Sequence, residues 1–512
     1  MNETRTQRAT KNILFGIISR CVNIIGPFIV RTAVIYKIGI EYAGLNSLFT
    51  SVLSVLSLTE LGVGSAMTYS MYKPIAEHDN NKLNQILNLY RKTYHVIGIV
   101  ICLAGLCLTP LIPQMVKGEI PKDINLYILY YIYLANTIAS YFLFAYKQSL
   151  ISAYMREDVN SKIRTAVYII LYVGQLIAVL LTRNYYVYTV ILPLSTVLNN
   201  LLTEYFSRKL FPNIHCTGNL ASNDKRQISK NVLALAGHRF GDVLTSSFDN
   251  IVISAVLGLT QLAIFSNYFY IHTAITSCFL VLDQALIPII GNCIVTEDVK
   301  SNYKKMLKLQ FIYVWAVVWS AICLFCLYQD AITIWVGSQY TVSMNVMISF
   351  VIYFLAWKIN AIMALYKTAA GLWVQDKFRP YYSSAINLIL NVFLVNKIGM
   401  SGVLWSTIII FVFITIPIEN RVTLKFYFKK PSTEYYKKMT QYIAAMLLVG
   451  LPTYWICGKV QGGTISAIIL KLCICIFVPN IGYVILFFKT DEFAYVKTII
   501  CNILSRRKSE NE

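Results

Sequence analysis

Between residues 12 and 488 the chain is a succession of apolar stretches separated by short polar connections. A run of about 20 apolar residues is long enough to carry a helix across the hydrocarbon core of a bilayer, where every backbone amide must be paired internally. About fourteen such runs can be drawn: 12 to 37, 44 to 71, 93 to 116, 123 to 147, 164 to 182, 185 to 207, 232 to 257, 262 to 294, 309 to 329, 341 to 366, 381 to 396, 401 to 424, 440 to 458 and 464 to 488. The chain is 57% hydrophobic and only 13% charged, against about a quarter charged in soluble domains. The expected fold is therefore an all-α polytopic membrane protein of about 14 transmembrane helices. The first run carries Arg20 and Arg31 and no small-x-small cleavage site, so it is expected to remain as a span in the mature chain.

Charge fixes the expected orientation. Roughly three quarters of the 45 Lys and Arg fall in the N-terminus, in every second connection and in the tail. The alternate connections hold only Lys37, Lys117, Lys122, Arg183, Lys397 and Lys459. Both termini are thus expected on the cytoplasmic side. The net charge of +21 is mostly this topology signal, with attraction to anionic membrane lipids as a by-product; no nucleic-acid partner is expected. Within the connection 73 to 92, Leu83, Ile86, Leu87 and Tyr90 share one helical face with cations opposite, a pattern suited to an amphipathic connector or to a helix lying on the inner leaflet.

Two segments begin alike, TKNILFGIISR at 10 to 20 and SKNVLALAGHR at 229 to 239. The same offset pairs Arg20 with Arg239, Asn23 with Asp242, Pro27 with Ser246, Arg31 with Asn250, Gly39 with Gly258 and Ser47 with Ser266. Two parallel six-helix repeats are expected, related by an axis along the membrane normal and enclosing a cavity at their interface. The expected domains are an N-terminal six-helix lobe at 1–208, a cytoplasmic linker at 209–231, a C-terminal six-helix lobe at 232–425, a connector at 426–439, a two-helix hairpin at 440–488 and a tail at 489–512. Lys471, in the hairpin, is placed where it would snorkel to a membrane face.

Charges inside spans are costly, about 2.5 to 3.5 kcal/mol each on insertion scales, and usually face protein or water along a pathway. Arg20, Asn23, Pro27 and Arg31 are spaced to share one face of the first span, and Arg239, Asp242, Ser246 and Asp249 or Asn250 repeat that stripe. Arg20, Arg31, Arg239 and Lys358 are the candidate cations for an anionic ligand. Glu60, Asp242, Asp249 and Asp283 are candidate carriers of H+ or Na+ or, equally, ion-pair members, with Glu60 within reach of Arg20. Tyr268 and Tyr270 are candidates for stacking on sugar rings, and His238 and His272 read mainly as polar packing residues.

No Walker A loop, dinucleotide-binding turn, nucleophile motif or HExxH is present, and the outer connections are short, so the chain is not expected to be an enzyme and no cofactor is expected. Most of the twelve cysteines sit among apolar residues, as small hydrophobic packing groups. Neither Cys323-x-x-Cys326 nor Cys473-x-Cys475 has a second ligand pair nearby in sequence, so no metal site is expected.

The stretches GIEYAGLNSLFTSVLSVLSLTELGVGSAM (39 to 67), LGLTQLAIFSNYFYI (257 to 271), PIIGNCIV (288 to 295), ITIWVGSQY (332 to 340) and LYKTAAGLWVQDKFRPYYSSAINLILNVFLVNKIGMSGVLWSTI (365 to 408) resemble those of bacterial polysaccharide-repeat flippases of the Wzx type. These belong to the multidrug/oligosaccharidyl-lipid/polysaccharide exporter superfamily. The resemblance implies V-shaped, MATE-like lobes that open alternately inward and outward around a cationic cavity. It implies transfer of undecaprenyl-diphosphate-linked oligosaccharide across the bacterial inner membrane for capsule, exopolysaccharide or O-antigen, with a polysaccharide polymerase and glycosyltransferases as partners. The N-lobe cations of the superfamily best match Arg20 and Arg31. Where lipid II flippases place further arginines in spans 2 and 8, this chain has Glu60 and Asp283, which weighs against lipid II as cargo. A lipid II flippase and an ion-coupled drug exporter of the same fold are the alternatives.

Overall fold

The computed structural model describes the backbone of residues 5–60, 62–118 and 120–498, with side chains throughout except at 5–14, 17, 59, 227, 230–231, 233–240 and 242. Contacts divide the chain into two compact units, Met1–Ala263 and Ile264–Glu512. The regular elements among the described residues are helical.

In the first unit the order is α1 (Arg5–Lys37), α2 (Ile40–Leu56), α3 (Val63–Ala76), α4 (Asn80–Leu108), α5 (Leu126–Phe142), α6 (Tyr146–Ala153), α7 (Glu157–Thr182), α8 (Tyr185–Leu210) and α9 (Ser222–Leu257). The second unit takes in most of α10 (Leu259–Thr296), then α11 (Val299–Val336), α12 (Met344–Lys358), α13 (Ala361–Ala369), α14 (Arg379–Ile398), α15 (Met400–Ile410), α16 (Ile416–Thr423), α17 (Thr433–Gly458) and α18 (Ile465–Phe487). Each apolar run drawn from the sequence is helical over most of its described length. Among the described residues ten helices are long and apolar enough to cross a membrane, and α5 with α6 forms a further candidate bent by 48°.

α4, α5, α8 and α11 start where short polar residues satisfy the otherwise unpaired first-turn amides. The Asn125 side chain accepts from the amides of Tyr127 and Ile128 at the head of α5, and Asn184 does the same for Tyr186 and Val187 at the head of α8. Asp79 and Asp298 cap α4 and α11.

In the first unit α1 packs along α7, and α7 and α5 pack on α8. The α1–α7 approach is close: a β-carbon on Gly26 would lie 2.1 Å from the Tyr172 ring. α9 packs on α2 and α3, and at its end the backbone of Leu259 passes so near Gly44 that a β-carbon there would meet the Leu259 carbonyl oxygen at 2.3 Å. The apolar face of 80 to 92 is not laid on a leaflet. Leu83, Ile86, Leu87 and Tyr90 form the first turns of α4 and are buried within the protein. α4 packs there on α3 and α6, with Tyr90 against Tyr146 and Ser149, and the linker bonds its polar side: Asn84 Oδ1 accepts from the His215 amide, Asn88 Nδ2 donates to the Gly218 carbonyl, Lys92 reaches Asn219 and Lys82 pairs with Asp224.

In the second unit α11 packs on α12, α17 and α18, and α17 packs on α18. Lys471 is buried and pairs with Asp330 of α11 at 2.5 Å rather than snorkelling, because a carboxylate within the unit satisfies it more closely than a distant headgroup. Between α13 and α14, Lys367 lies 2.6 Å from Asp376 and 3.1 Å from Glu419, and Arg379 meets the same two carboxylates at 3.0 Å each. Two π-helical turns, Phe411–Thr415 and Leu424–Phe428, flank α16.

Candidate functional site

The second apolar run is broken in its middle. α2 ends at Leu56, Ser57–Glu60 make a tight 3-10 turn, and α3 restarts after Gly62, whose φ of 83° lies in the left-handed region that suits a residue without a side chain. Irregular backbone at membrane depth is tolerated where it lines a cavity, and this break does. Asn46, Thr50, Ser54, Ser57 and Glu60 follow one another at helical spacing and face a cavity of about 560 Å³ inside the first unit. Tyr133, Asn136 and Thr137 of α5 form the opposite wall, with Ser65 of α3, Leu192 of α8 and Val243 of α9.

The wall is held by its own hydrogen bonds. Tyr133 donates to Asn46 Oδ1 at 2.6 Å, and Thr196 donates to Asn136 Oδ1 at 2.6 Å. Tyr94 and Tyr141 each donate to one carboxylate oxygen of Glu60 at 2.5 Å. Glu60 is the charged residue among the described lining; the rest is amide, hydroxyl and small apolar surface. Such a surface both donates to and accepts from a neutral polyhydroxylated ligand.

The residues singled out by charge are dispersed. Arg20 and Arg31 lie half-buried on one face of α1 and are not part of this cavity wall. Arg31 Nη2 donates to the Ala263 carbonyl at 3.2 Å. On the same stripe Asn23 accepts from Tyr172 at 3.2 Å. The side chains of Arg239, Asp242 and His238 lie outside the described residues. Asp249 is buried, and beside it Asn250 donates to Ser51 at 2.8 Å.

In the second unit Lys358 and Asp283 form an ion pair at 3.2 Å, with Tyr313 on the other carboxylate oxygen. Tyr268 is fully buried between Tyr328 and Phe350, and its hydroxyl joins Gln329 to the Val342 amide, so in this conformation it serves packing rather than presenting a sugar-stacking face. Tyr270 packs against Trp335. His272 is buried against Trp357 and Tyr353.

Charge does not mark this cavity. Its signal is nonetheless in the sequence: Asn46, Thr50, Ser54, Ser57 and Glu60 step by four, four, three and three, and Tyr133, Asn136 and Thr137 by three and one.

No family model and no curated protein sequence matches the chain. Solved structures do. The lipid II flippase MurJ in an inward closed conformation matches over 93% of this chain and 99% of its own, with a TM-score of 0.69 at 15% identity. This chain has the MurJ and MATE transporter fold. An inward-facing multidrug resistance MATE family transporter of the MOP superfamily gives a TM-score of 0.58 at 12% identity over 84% of this chain and 99% of its own. A mutant of the Vibrio cholerae MATE transporter VcmN gives 0.53 at 13% identity over 83% and 98%. At such identities the likeness concerns the fold, that of a multi-pass membrane protein.

Proposed function

We propose that the protein is a flippase that moves a lipid-linked oligosaccharide, carried on undecaprenyl diphosphate, from the inner to the outer leaflet of the bacterial plasma membrane for capsule, exopolysaccharide or O-antigen synthesis. The observation that carries this reading is a cavity lined by amides and hydroxyls inside a fold shared with a lipid II flippase. Asn, Ser, Thr and Tyr side chains match sugar hydroxyls because each can donate and accept.

The diphosphate is assigned to Arg20, Arg31 and Arg239, whose guanidinium forks suit phosphate oxygens. The polyprenyl tail stays in lipid during transfer, since drawing it through water would cost about 0.8 kcal/mol per methylene-sized unit. Both termini face the cytoplasm in this scheme, and the two halves of the chain expose the site alternately to either side.

The test is deletion of the gene with extraction of undecaprenyl-diphosphate lipids and assay of surface polysaccharide. Build-up of a completed lipid-linked repeat with loss of the surface polymer supports the flipping step. Build-up of lipid II instead transfers the cargo to lipid II, and no change in either, in a strain without a redundant flippase, removes the reading.

One observation favours a second reading, an ion-coupled exporter of small molecules: the Glu60 carboxylate stands in the cavity wall. Ion-driven transport of an organic cation in membrane vesicles, undiminished by Arg20→Ala, would put that reading first.

A further inference from the structure

The short cysteine pairs that lack a second ligand pair in sequence meet in space. Cys326 on α11, Cys457 near the end of α17 and Cys475 in the middle of α18 are buried, and their Sγ atoms all lie within 4.8 Å of one another. Cys457 and Cys475 are 3.9 Å apart. Cys323 stands one turn before Cys326 on the same helix. The three helices that supply these sulfurs pack mutually. Cys473, two residues from Cys475, is exposed on the other side of α18.

Packing alone gives no reason for sulfur at these places. Any small apolar side chain fills such a site, whereas convergence of thiols from three separate helices places soft donors at one point. The 3.9 Å separation is close to roughly 3.8 Å, the edge of a tetrahedron built on zinc–sulfur bonds of about 2.3 Å. The donors are all sulfur, with no histidine or carboxylate in the group; that selects soft d10 cations over Mg2+, Ca2+ or Mn2+. The buried Lys471, one turn before Cys475, is paired with Asp330, one turn after Cys326.

We propose that Cys326, Cys457 and Cys475 bind a soft d10 cation, Zn2+ or Cu+, and that this metal fastens the helix pair α17–α18 to α11. Each thiol that ligates gives up its proton to solvent on binding, and no oxidant or reductant takes part. The site is independent of the cargo: it lies on helices that supply no wall of the first-unit cavity.

The test uses the full-length protein, purified in detergent under anaerobic reducing conditions with its affinity tag removed. Elemental analysis by inductively coupled plasma mass spectrometry is expected to find about one zinc or one copper per chain, and which metal is found separates the two cations. After stripping with a chelator, reloading with Co2+ is expected to give intense thiolate-to-metal charge-transfer bands. Cys475→Ala should lower bound metal at least tenfold, while Cys473→Ala should leave it unchanged. Equal metal in wild type and Cys475→Ala overturns the proposal, as does a Cys457–Cys475 disulfide in metal-free protein. Should Cys475→Ala fail to fold, as judged by size-exclusion profile, Cys326→Ala takes its place. A wild-type protein that shows no charge-transfer band with Co2+ overturns the proposal however the variants behave.

Discussion

Lys358 Nζ lies 3.2 Å from Asp283 Oδ2, and Tyr313 donates to Asp283 Oδ1 at 2.7 Å. A cation that sequence alone offers to an anionic ligand is thereby neutralised by an acid of a neighbouring span. Lys358→Ala strands a buried carboxylate, for which the expected loss is about 3–5 kcal/mol. Protein level and thermal stability in detergent should both drop. The paired replacement Lys358→Met with Asp283→Leu should restore both, together with export; restored abundance without export would instead give Lys358 a direct part in cargo binding.

Glu60 accepts from two phenols at once, Tyr94 and Tyr141. Glu60→Ala leaves both hydroxyls without that acceptor, at about 1–3 kcal/mol for each one stranded away from water. Glu60→Gln keeps one acceptor oxygen and turns the other into an amide donor, so its stability should fall between Glu60→Ala and wild type. A change in the ion dependence of transport in Glu60→Gln, measured in vesicles at equal protein level, would identify Glu60 as the coupling acid.

Gly44 and Gly174 offer a matched pair of tests. A β-carbon at Gly44 meets the Leu259 carbonyl oxygen at 2.3 Å, while one at Gly174 finds only Ile191 at 3.6 Å, an ordinary contact. Backbone cannot step aside as a flexible side chain does. Gly44→Ala should therefore cost roughly 1–3 kcal/mol, and Gly174→Ala should be neutral or stabilising by up to about 1 kcal/mol through helix propensity. Melting temperatures in one detergent compare them directly.

Burial alone would raise the pKa of Asp376, but Lys367 and Arg379 hold its carboxyl below the usual carboxylate range. A group whose folded-state pKa is depressed contributes stability above its unfolded pKa, about 3.9, and loses it as pH falls through the lower folded value. Wild type should thus be more stable than Asp376→Asn at neutral pH, and the gap should close below about pH 4. Thermal melts of the two proteins between pH 7 and pH 3 measure it; a constant gap would mean that Asp376 contributes nothing through its charge.

Arg20→Ala and Arg239→Ala should each abolish glycan export at unchanged protein level, assayed by surface polymer and membrane immunoblot. Full export by either variant removes that arginine from the proposed diphosphate site.

The apolar runs were legible because a bilayer-length stretch is a local property of sequence, and each is helical over most of its described length. The break between Leu56 and Val63 was not, since it depends on a single left-handed glycine, Gly62, inside a run long enough to read as one span. The polar stripe from Asn46 to Glu60 was legible in principle, yet uncharged residues stand out less than arginines. Partners distant in the chain were beyond reach. Nothing near Lys471 announces Asp330, and nothing near Cys326 announces Cys457 or Cys475.

The linker bonded to α4 has a bearing on how the protein is made. Lys82, Asn84, Asn88 and Lys92 all find their partners between His215 and Asp224, and the first compact unit closes at Ala263. The unit is thus contiguous and is complete in the nascent chain while the second half is still untranslated. At about 5–20 residues per second, that leaves roughly 10–50 s of ribosome time for the first half to settle before its successor emerges.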